Sequence, residues 1–276
     1  MKMDLNRQER VSRYVRDRRC REGGYCFYRL EEPNSSDTYW ALGILHLLGA
    51  RDQDGETASF LKSFQYADGG FENLPIAYFV LKGLSLLGQA PRYDPTPYLK
   101  RQLHTYDVRL VPTGEASIFK NIYLLVDLHC ERDIPIARPI GEEISAFVLN
   151  LQTPDGGYGR EYGTLIETAQ ALSILQWLEV LPADRRTGDF ISRCENMLFG
   201  YVNVPRTLPG YIEHIFWGLQ ARLITGGWPV YPETCREIIL WSQNMTGGFS
   251  RTTHGGIANL ENTFHAVASL KHLKAW

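Results

Sequence analysis

The sequence predicts an all-α protein in which six helical hairpins close into a ring, and three observations support this fold class. A turn of the form Gln-x-x-Asp-Gly-Gly-aromatic recurs along the chain. Each copy is followed by a helix that is apolar on almost every side, and such a helix must be buried. The copies recur at similar intervals, which is typical of a repeat architecture.

Each repeat has the same elements in the same order. A helix with one polar face comes first, as in 58–65 and 142–152, and it ends at a Gln. The Gly-Gly pair then supplies a positive φ that residues with side chains resist. The apolar helix follows and ends at a glycine suited to a left-handed cap, as at Gly49, Gly88 and Gly226.

Six copies can be placed on the chain. Four are well formed, at 23–49, 64–88, 149–178 and 242–270, and two are degenerate, at 114–128 and 210–226. The alignment starts their apolar helices at Thr38, Ala77, Ser117, Thr168, His214 and Thr263.

Six hairpins can bury their apolar helices by stacking into an open solenoid or by closing into a ring. An open array needs polar capping repeats at its ends, whereas the last repeat here is a full one that runs to the end of the sequence. The sequence therefore favours a closed ring that forms one domain over residues 1–276, with the apolar helices inside.

Residues 1–22 are predicted to form a basic helix of the outer ring. The segment is rich in arginine, and Leu5, Val11, Tyr14 and Val15 make a partial apolar stripe at helical spacing. This stripe has two interpretations: it packs against the protein while the arginines face solvent, or it approaches an anionic membrane peripherally.

Composition excludes several classes of protein. The formal net charge of -2 argues against a general nucleic-acid binder. No apolar run is long enough to span a bilayer, and the N-terminal segment is charged where a signal peptide is apolar, so we expect a cytoplasmic location. The five cysteines lack CxxC spacing and are expected to be free thiols.

Three turns each lead into an apolar helix: Gln65–Phe71, Gln152–Tyr158 and a weakened one at Gln243–Phe249. Two of these helices have, near their start, an acidic residue or Asn followed by Thr. In this the sequence resembles protein prenyltransferase β-subunits and the squalene and oxidosqualene cyclases, over about residues 20–273. The resemblance implies an (α/α)6 toroid of about twelve helices around an aromatic cavity that holds an isoprenoid. It also implies a possible partner subunit, as in the prenyltransferase heterodimers.

Acidic side chains at the starts of the apolar helices are the candidate catalytic groups. The set comprises Asp37, Glu115, Glu167 and Glu213, with His214 adjacent to the last; Ile76 fills the second repeat's place and Glu261 or Asn262 that of the last. Acids here are also favoured simply as helix caps. If they face one cavity, at least one should have a raised pKa and be able to donate a proton.

The zinc and diphosphate residues that the resemblance leads one to expect do not stand at the matching places. Ser117, Ala169 and Ile215 occupy them, and Asn262 stands where the family's His ligand is expected. The DxDD motif of the cyclases and a DDxxD motif for magnesium diphosphate are also missing; DQDG at 52–55 is interpreted as a solvated loop. We therefore predict no metal, with Zn²⁺ or Mg²⁺ possible but without motif support.

Aromatic residues on the apolar helices, and a few polar ones near them, are the candidate substrate-binding residues. They are Tyr39, Trp40, Tyr78, Phe79, Phe119, Tyr123, Tyr211, Phe216, Trp217, Asn262 and Phe264, together with the loop residues Arg206, Arg251 and His254. The sequence thus favours an isoprenoid-handling enzyme without zinc. A non-catalytic toroid that binds a hydrophobic ligand or a protein, and a degenerate prenyltransferase β-subunit, are the alternatives.

Overall fold

The computed structural model describes residues 2–28, 32–50, 55–107, 117–182 and 185–276. Within these ranges the regular structure comprises twelve α-helices and one two-stranded β-hairpin. The elements are α1 (Lys2–Arg16), α2 (Ser35–Leu47), α3 (Gly55–Ser63), α4 (Leu74–Leu86), α5 (Thr96–His104), α6 (Lys120–Glu131), α7 (Arg138–Asn150), α8 (Leu165–Trp177), α9 (Arg185–Cys194), β1 (Glu195–Asn196), β2 (Gly200–Tyr201), α10 (Ile212–Ile224), α11 (Pro232–Trp241) and α12 (Leu260–His272).

The even-numbered helices, here called the core helices, are the apolar ones that the sequence predicts. Each of four begins where a side-chain oxygen accepts the backbone N–H three residues on, which satisfies a donor that the helix leaves free. The capping residues are Asn34, Asn73, Thr164 and Asn259. The odd-numbered helices, here called the flanking helices, alternate with the core helices along the chain.

The chain divides into two compact units. The terminal unit contains Met1–Pro95 and Arg236–Trp276, so it holds both ends of the chain, and the middle unit contains Thr96–Cys235. In the terminal unit, α2 packs between α4 and α12, while α1 packs on α2. The first and last repeats are therefore direct neighbours, as the prediction of a closed ring requires.

The middle unit repeats this arrangement with other helices. Here α8 packs between α6 and α10, with α7 and α9 against α8 and α5 against α6. The β-hairpin packs on α10. Ten of the residues of α8 are buried, including Glu167 and Gln170, because this helix is enclosed by neighbours on several sides.

The predicted helix starts are shifted in register in two repeats. Four core helices begin three residues before the aligned positions, whereas α10 begins at Ile212, two residues before His214. α6 begins at Lys120, three residues after Ser117. Both errors fall in the degenerate repeats, where the glycine turn that anchors the alignment is not recognisable.

The glycine turns dock on the flanking helix of the next repeat or, at Gly69, on Asp94 just before that helix begins. Gly23, Gly69, Gly156 and Gly247 all have a positive φ between 83° and 97°. A Cβ at Gly156 would collide with the carbonyl oxygen of Arg186 in α9, and one at Gly247 with that of Arg10 in α1. The first glycine of each pair is therefore required for its conformation and for a close backbone approach.

The Gln that begins each turn joins its own turn to the following segment. Gln65 donates from Nε2 to the carbonyl oxygens of Gly69 and Tyr93, at 3.0 and 2.9 Å, and its Oε1 accepts the Tyr93 N–H at 2.9 Å. Gln243 similarly donates to Gly247 O at 2.9 Å and accepts from Arg7 Nη1 at 3.0 Å. The buried amide thus satisfies backbone groups that would otherwise lack partners.

A threonine near the start of three core helices fixes the aromatic residue of the turn. Thr168 Oγ1 accepts the N–H of Tyr158 at 2.9 Å and donates to Thr164 O at 2.6 Å. Thr38 and Thr263 make the same pair of bonds in their own repeats. This geometry explains why Thr recurs in the repeat.

A fifth turn of this kind lies in the middle unit at Glu195–Tyr201, where the sequence ENMLFGY gives no double glycine. Glu195 pairs with Tyr201 across β1 and β2, as Gln152 pairs with Tyr158. The carboxylate of Glu195 accepts the N–H of Val230, just as Gln65 accepts that of Tyr93. The degenerate fifth repeat is therefore structurally complete.

The apolar stripe of α1 faces the protein. Val11, Tyr14 and Val15 are almost completely buried, and Arg18 stacks over the Tyr14 ring at 3.5 Å. The membrane interpretation of this stripe is wrong for the described side chains, which begin at residue 6, because they form part of the terminal unit's core. No helix among the described residues is long and apolar enough to cross a membrane.

Candidate functional site

Aromatic side chains cluster at equivalent positions of three core helices in the terminal unit. The fifth and sixth residues are Tyr39 and Trp40 in α2, Tyr78 and Phe79 in α4, and Phe264 and His265 in α12. The Trp40 ring lies at the centre of this terminal cluster, with ring centroids 4.9 Å from Phe264, 5.7 Å from Phe79 and 4.7 Å from Tyr39.

The terminal cluster has a buried part and an accessible part. Tyr39, Tyr78 and His265 are buried, whereas Trp40, Phe79 and Phe264 are each half-buried. Burial lowers the pKa of His265 to about 3, so the imidazole is neutral near pH 7. The accessible rings therefore offer π faces with no charged imidazole beside them, a surface suited to an apolar chain or to a cation.

The middle unit contains a second cluster, here called the middle cluster, formed by Tyr123, Trp177 and Trp217. The Tyr123 ring lies 5.1 Å from that of Trp177 and 5.7 Å from that of Trp217. All three residues are half-buried, as is Phe216, which contacts Trp217. Trp177 is not predicted from the sequence, because it is the last residue of α8 and lies far along the chain from the aromatic residues near the helix starts.

Phe119 does not belong to either accessible surface. Its side chain is fully buried, and its ring lies 6.1 Å from that of Phe147 in the flanking helix α7. Phe119 precedes α6 and packs between helices, so its place among the substrate-binding residues stays a prediction.

Asp37 belongs to a capping network at the start of α2. The Asn34 side chain accepts the Asp37 N–H at 2.8 Å and donates to its carboxylate at 2.7 Å. Burial raises the pKa of the Asp37 carboxyl above its ordinary value, although the Asn34 hydrogen bond and the charge of Arg18 oppose the shift. Desolvation causes this shift, not repulsion between several carboxylates.

The Glu167 side chain links the starts of two helices. Its Oε2 accepts from Thr164 Oγ1 at 2.9 Å, and its Oε1 accepts the N–H of Ile118 at 3.2 Å, just before α6. Asn203 accepts the first N–H groups of α8, with its backbone carbonyl oxygen from Leu165 and with its side-chain Oδ1 from Ile166. The buried carboxylate is thus part of the framework that fixes α6 against α8.

His214, and not Glu213, occupies the position in α10 that Asp37 and Glu167 occupy in their helices. It is the third helical residue, and its Nδ1 accepts the N–H of Tyr211 at 3.2 Å. In the neutral ring the proton is therefore on Nε2. Glu213, one residue earlier, is half-buried, so a carboxylate and an Nε2–H donor stand on consecutive residues at the start of α10.

The remaining candidates lie in loops or caps. Arg206, Arg251 and His254 are exposed, and Arg206 has a left-handed φ of 68°. Asn262 is buried, and its N–H is capped by Asn259 at 2.6 Å. Glu115 and residues 52–54 of the DQDG segment lie outside the described residues, and among the described residues no group of three or more His, Cys, Asp or Glu side chains is arranged to hold a metal ion.

The middle unit contains a buried ion pair that was not predicted from the sequence. Arg222 of α10 donates from Nε to Glu195 Oε1 at 2.7 Å and from Nη2 to the same oxygen and to Ser192 Oγ at 2.8 Å. Both side chains are almost completely buried. The guanidinium neutralises a carboxylate that stands where other repeats have a neutral Gln. The spacing Glu-x4-Gly-Tyr in the sequence is the signal by which this turn, and hence its buried carboxylate, could have been recognised.

Comparison with known proteins places these features in a family. The family model described as "Prenyltransferase alpha-alpha toroid domain" matches residues 1–76 and 72–276. The chain therefore belongs to the prenyltransferase alpha-alpha toroid family, and both the resemblance and the predicted fold class are confirmed. A search of curated proteins finds no match.

Two solved structures show the same fold at low sequence identity. One is Candida albicans protein geranylgeranyltransferase-I complexed with GGPP, with 14% identity, a TM-score of 0.68, and coverage of 96% of this chain and 90% of that chain. The other is a protein from Actinoplanes, with 18% identity, a TM-score of 0.61, and coverage of 98% and 99%.

Proposed function

We propose that the protein binds an isoprenoid on a half-buried aromatic cluster and acts as a prenyltransferase-like or terpene cyclase-like enzyme. The observation that carries this proposal is the repeated placement of accessible aromatic rings on core helices that are otherwise buried. Leaving such rings exposed to water is unfavourable, and an apolar ligand that covers them would gain about 25 cal/mol per Å² of apolar area removed from water.

The similar Candida albicans protein supports the choice of ligand class, since it is described in complex with GGPP. Prenyl groups are apolar chains, and their transfer or cyclisation develops positive charge that aromatic faces stabilise. Trp40, Phe79, Phe264, Tyr123, Trp177 and Trp217 are the rings assigned to this role. The proposed chemistry uses no zinc, which is consistent with the lack, among the described residues, of any group of three or more His, Cys, Asp or Glu side chains arranged to hold a metal ion.

Glu213 is assigned the role of acid or base, with His214 as its neighbouring Nε2–H donor. Glu167 is less suited to proton transfer than the sequence indicated, since both its oxygens accept hydrogen bonds within the framework. Replacing Glu213 by Gln preserves the shape of the side chain and removes its proton. We expect at least a ~100-fold loss of turnover, with little change in prenyl binding; unchanged turnover would remove this assignment.

A specific observation favours a second function, that of a non-catalytic carrier of a hydrophobic ligand. Asp37, Glu167 and His214 are all engaged in helix capping, which leaves fewer groups for chemistry. The two functions are separated by mass spectrometry of small molecules that copurify with the protein, followed by incubation with C10 to C20 prenyl diphosphates. Turnover supports the enzyme, and bound lipid without turnover supports the carrier. If neither turnover nor bound lipid is found, both functions are contradicted.

The proposed enzyme is also tested for its need of a partner or a metal. A degenerate prenyltransferase subunit would require a second subunit and zinc for turnover. Metal analysis of the purified protein, together with turnover assays before and after treatment with a chelator, separates this alternative from the zinc-independent enzyme. Loss of turnover on chelation, restored by Zn²⁺, would overturn the zinc-independent proposal.

A further inference from the structure

The turn that precedes α2 holds two cysteines on one face. Arg19 pairs with Tyr25 in an antiparallel bridge, with Cys20 N–H donating to Gly24 O at 3.0 Å and Cys26 N–H donating to Arg18 O at 3.1 Å. Side chains alternate across such a ladder. Cys20 and Cys26, which flank the bridged pair, therefore project on the same side.

The two sulfurs converge on a single oxygen. Cys20 Sγ lies 3.9 Å and Cys26 Sγ 3.7 Å from the carbonyl oxygen of Arg18. The sulfurs can therefore be no farther apart than the sum of these distances. Both cysteines are almost completely buried, and neither forms a disulfide, so two thiols and a carbonyl surround one small volume.

A cleft gives access to this volume from solvent. It has a volume of about 800 Å³ and is lined by Cys20, Arg21, Glu22, Gly23, Pro33 and Phe60. Cys20 therefore borders both the cleft and the shared carbonyl. A small ion that enters the cleft meets Cys20 first.

The ladder geometry favours a bridging ion over a disulfide. Cys20 and Cys26 are diagonal neighbours across the bridge, and diagonal Cα atoms are typically about 7–8 Å apart. Disulfides need Cα atoms within about 6.8 Å and an S–S bond of about 2 Å. An ion bound between the two sulfurs spans roughly twice the sulfur–sulfur distance of a disulfide bond. Metal binding therefore needs less backbone movement than disulfide formation.

We propose that Cys20 and Cys26 form a binding site for a soft monovalent metal ion, Cu(I), separate from the aromatic clusters. Thiolates are the preferred ligands of Cu(I), which two of them satisfy in a near-linear arrangement, whereas Zn²⁺ takes four ligands. Each thiol loses its proton on binding, so one Cu(I) releases two protons and leaves a complex of net charge −1. The positive charges of Arg21, which lines the cleft, and of Arg18, whose carbonyl faces both sulfurs, offset this negative charge.

The experiment is an anaerobic titration of the reduced full chain with Cu(I) supplied as its bicinchoninate complex, with absorbance reporting transfer of the ion. We expect one Cu(I) per chain at this site. Cys20→Ser and Cys26→Ser should each lower the affinity at least about 100-fold, the upper end of the loss seen when a supporting residue of a metal site is removed. X-ray absorption of the loaded protein should show two sulfur neighbours.

Cys130→Ser is the matched control, because Cys130 is a half-buried thiol at the end of α6. It should retain the ion with wild-type affinity. Circular dichroism of all three variants checks that they are folded. Equal affinity in wild type and Cys26→Ser, loss of binding in Cys130→Ser, or retention of Zn²⁺ but not Cu(I) would each overturn the proposal.

Discussion

At the scale of single residues, the polar side chains near the core helices have mainly structural partners. Asp37 and Glu167 were predicted from the sequence both as caps and as catalytic acids, and the structure supplies the capping bonds of each. The sequence could not decide between these roles, because a carboxylate at a helix start satisfies the same local pattern in both cases. Only the contact of Glu167 with Ile118, across two helices, shows what its buried charge does.

Glu195 and Arg222 provide a test of a buried charge pair. Arg222→Met leaves the Glu195 carboxylate buried without its guanidinium, and we expect the free energy of unfolding to fall by about 3–5 kcal/mol. The double variant Glu195→Gln/Arg222→Met should recover most of this loss, because Gln is the residue at this place in three other repeats. Urea unfolding of both variants measures the difference. A double variant as unstable as Arg222→Met alone would contradict the pairing.

His265 makes stability depend on pH. Its pKa is lowered to about 3 in the folded state by burial, whereas the unfolded chain binds the proton near pH 6.5. The unfolded state therefore gains protons first as the pH falls, and stability should decrease below about pH 6.5 by up to about 1.4 kcal/mol per pH unit. His265→Leu should show a smaller difference between pH 7 and pH 5.

Urea unfolding at both pH values isolates this effect from the absolute stability of the variant. His129 and His272 also have lowered pKa values caused by burial, so part of the acid sensitivity should remain in the variant. An equal loss of stability in wild type and variant would show that His265 is protonated in the folded protein.

At the scale of elements, the glycine turn is the feature that the sequence predicted best. The Gln, the Gly-Gly pair and the aromatic residue were recognised in three copies, and their role as connectors between helices is confirmed by the contacts of Gln65 and Gly156. The turn at Glu195–Tyr201 was missed because Phe199 replaces the first glycine and a charged residue replaces Gln. The Glu195 carboxylate in this turn depends on its ion pair with Arg222, which lies far away in sequence.

Gly156 tests the docking of a turn on its neighbouring helix. Gly156→Ala must place a Cβ against the carbonyl of Arg186 at a φ of 89°, and we expect a loss of at least about 1–3 kcal/mol in the free energy of unfolding. Gly188→Ala is the matched control, since Gly188 lies in α9 with open space around it. That variant should be about 0.4–1 kcal/mol more stable. Equal stability of the two variants would contradict the docking model.

At the scale of the whole molecule, repetition made the fold class predictable although each copy alone is a weak signal. The six apolar helices, their order and the neighbouring first and last repeats all follow from matching apolar segments that cannot be exposed. The register in α6 and α10 did not follow, because the degenerate copies lack the turn that fixes it. Relative to the sequence alignment, α10 is shifted by one residue. His214, and not Glu213, therefore lies at the capping position, which leaves Glu213 as the candidate acid or base.

The central claim, that the aromatic clusters bind an isoprenoid, is tested most directly by equilibrium binding of GGPP to the purified protein. Trp40→Leu and Trp217→Leu each remove a half-buried ring from one cluster, and each should weaken binding at least about tenfold, or about 1.4 kcal/mol. Trp241→Leu is the control, because this ring is 64% exposed at the end of α11, and it should bind GGPP like the wild type. No saturable binding by the wild type, or equal affinity in all three variants, would contradict the account.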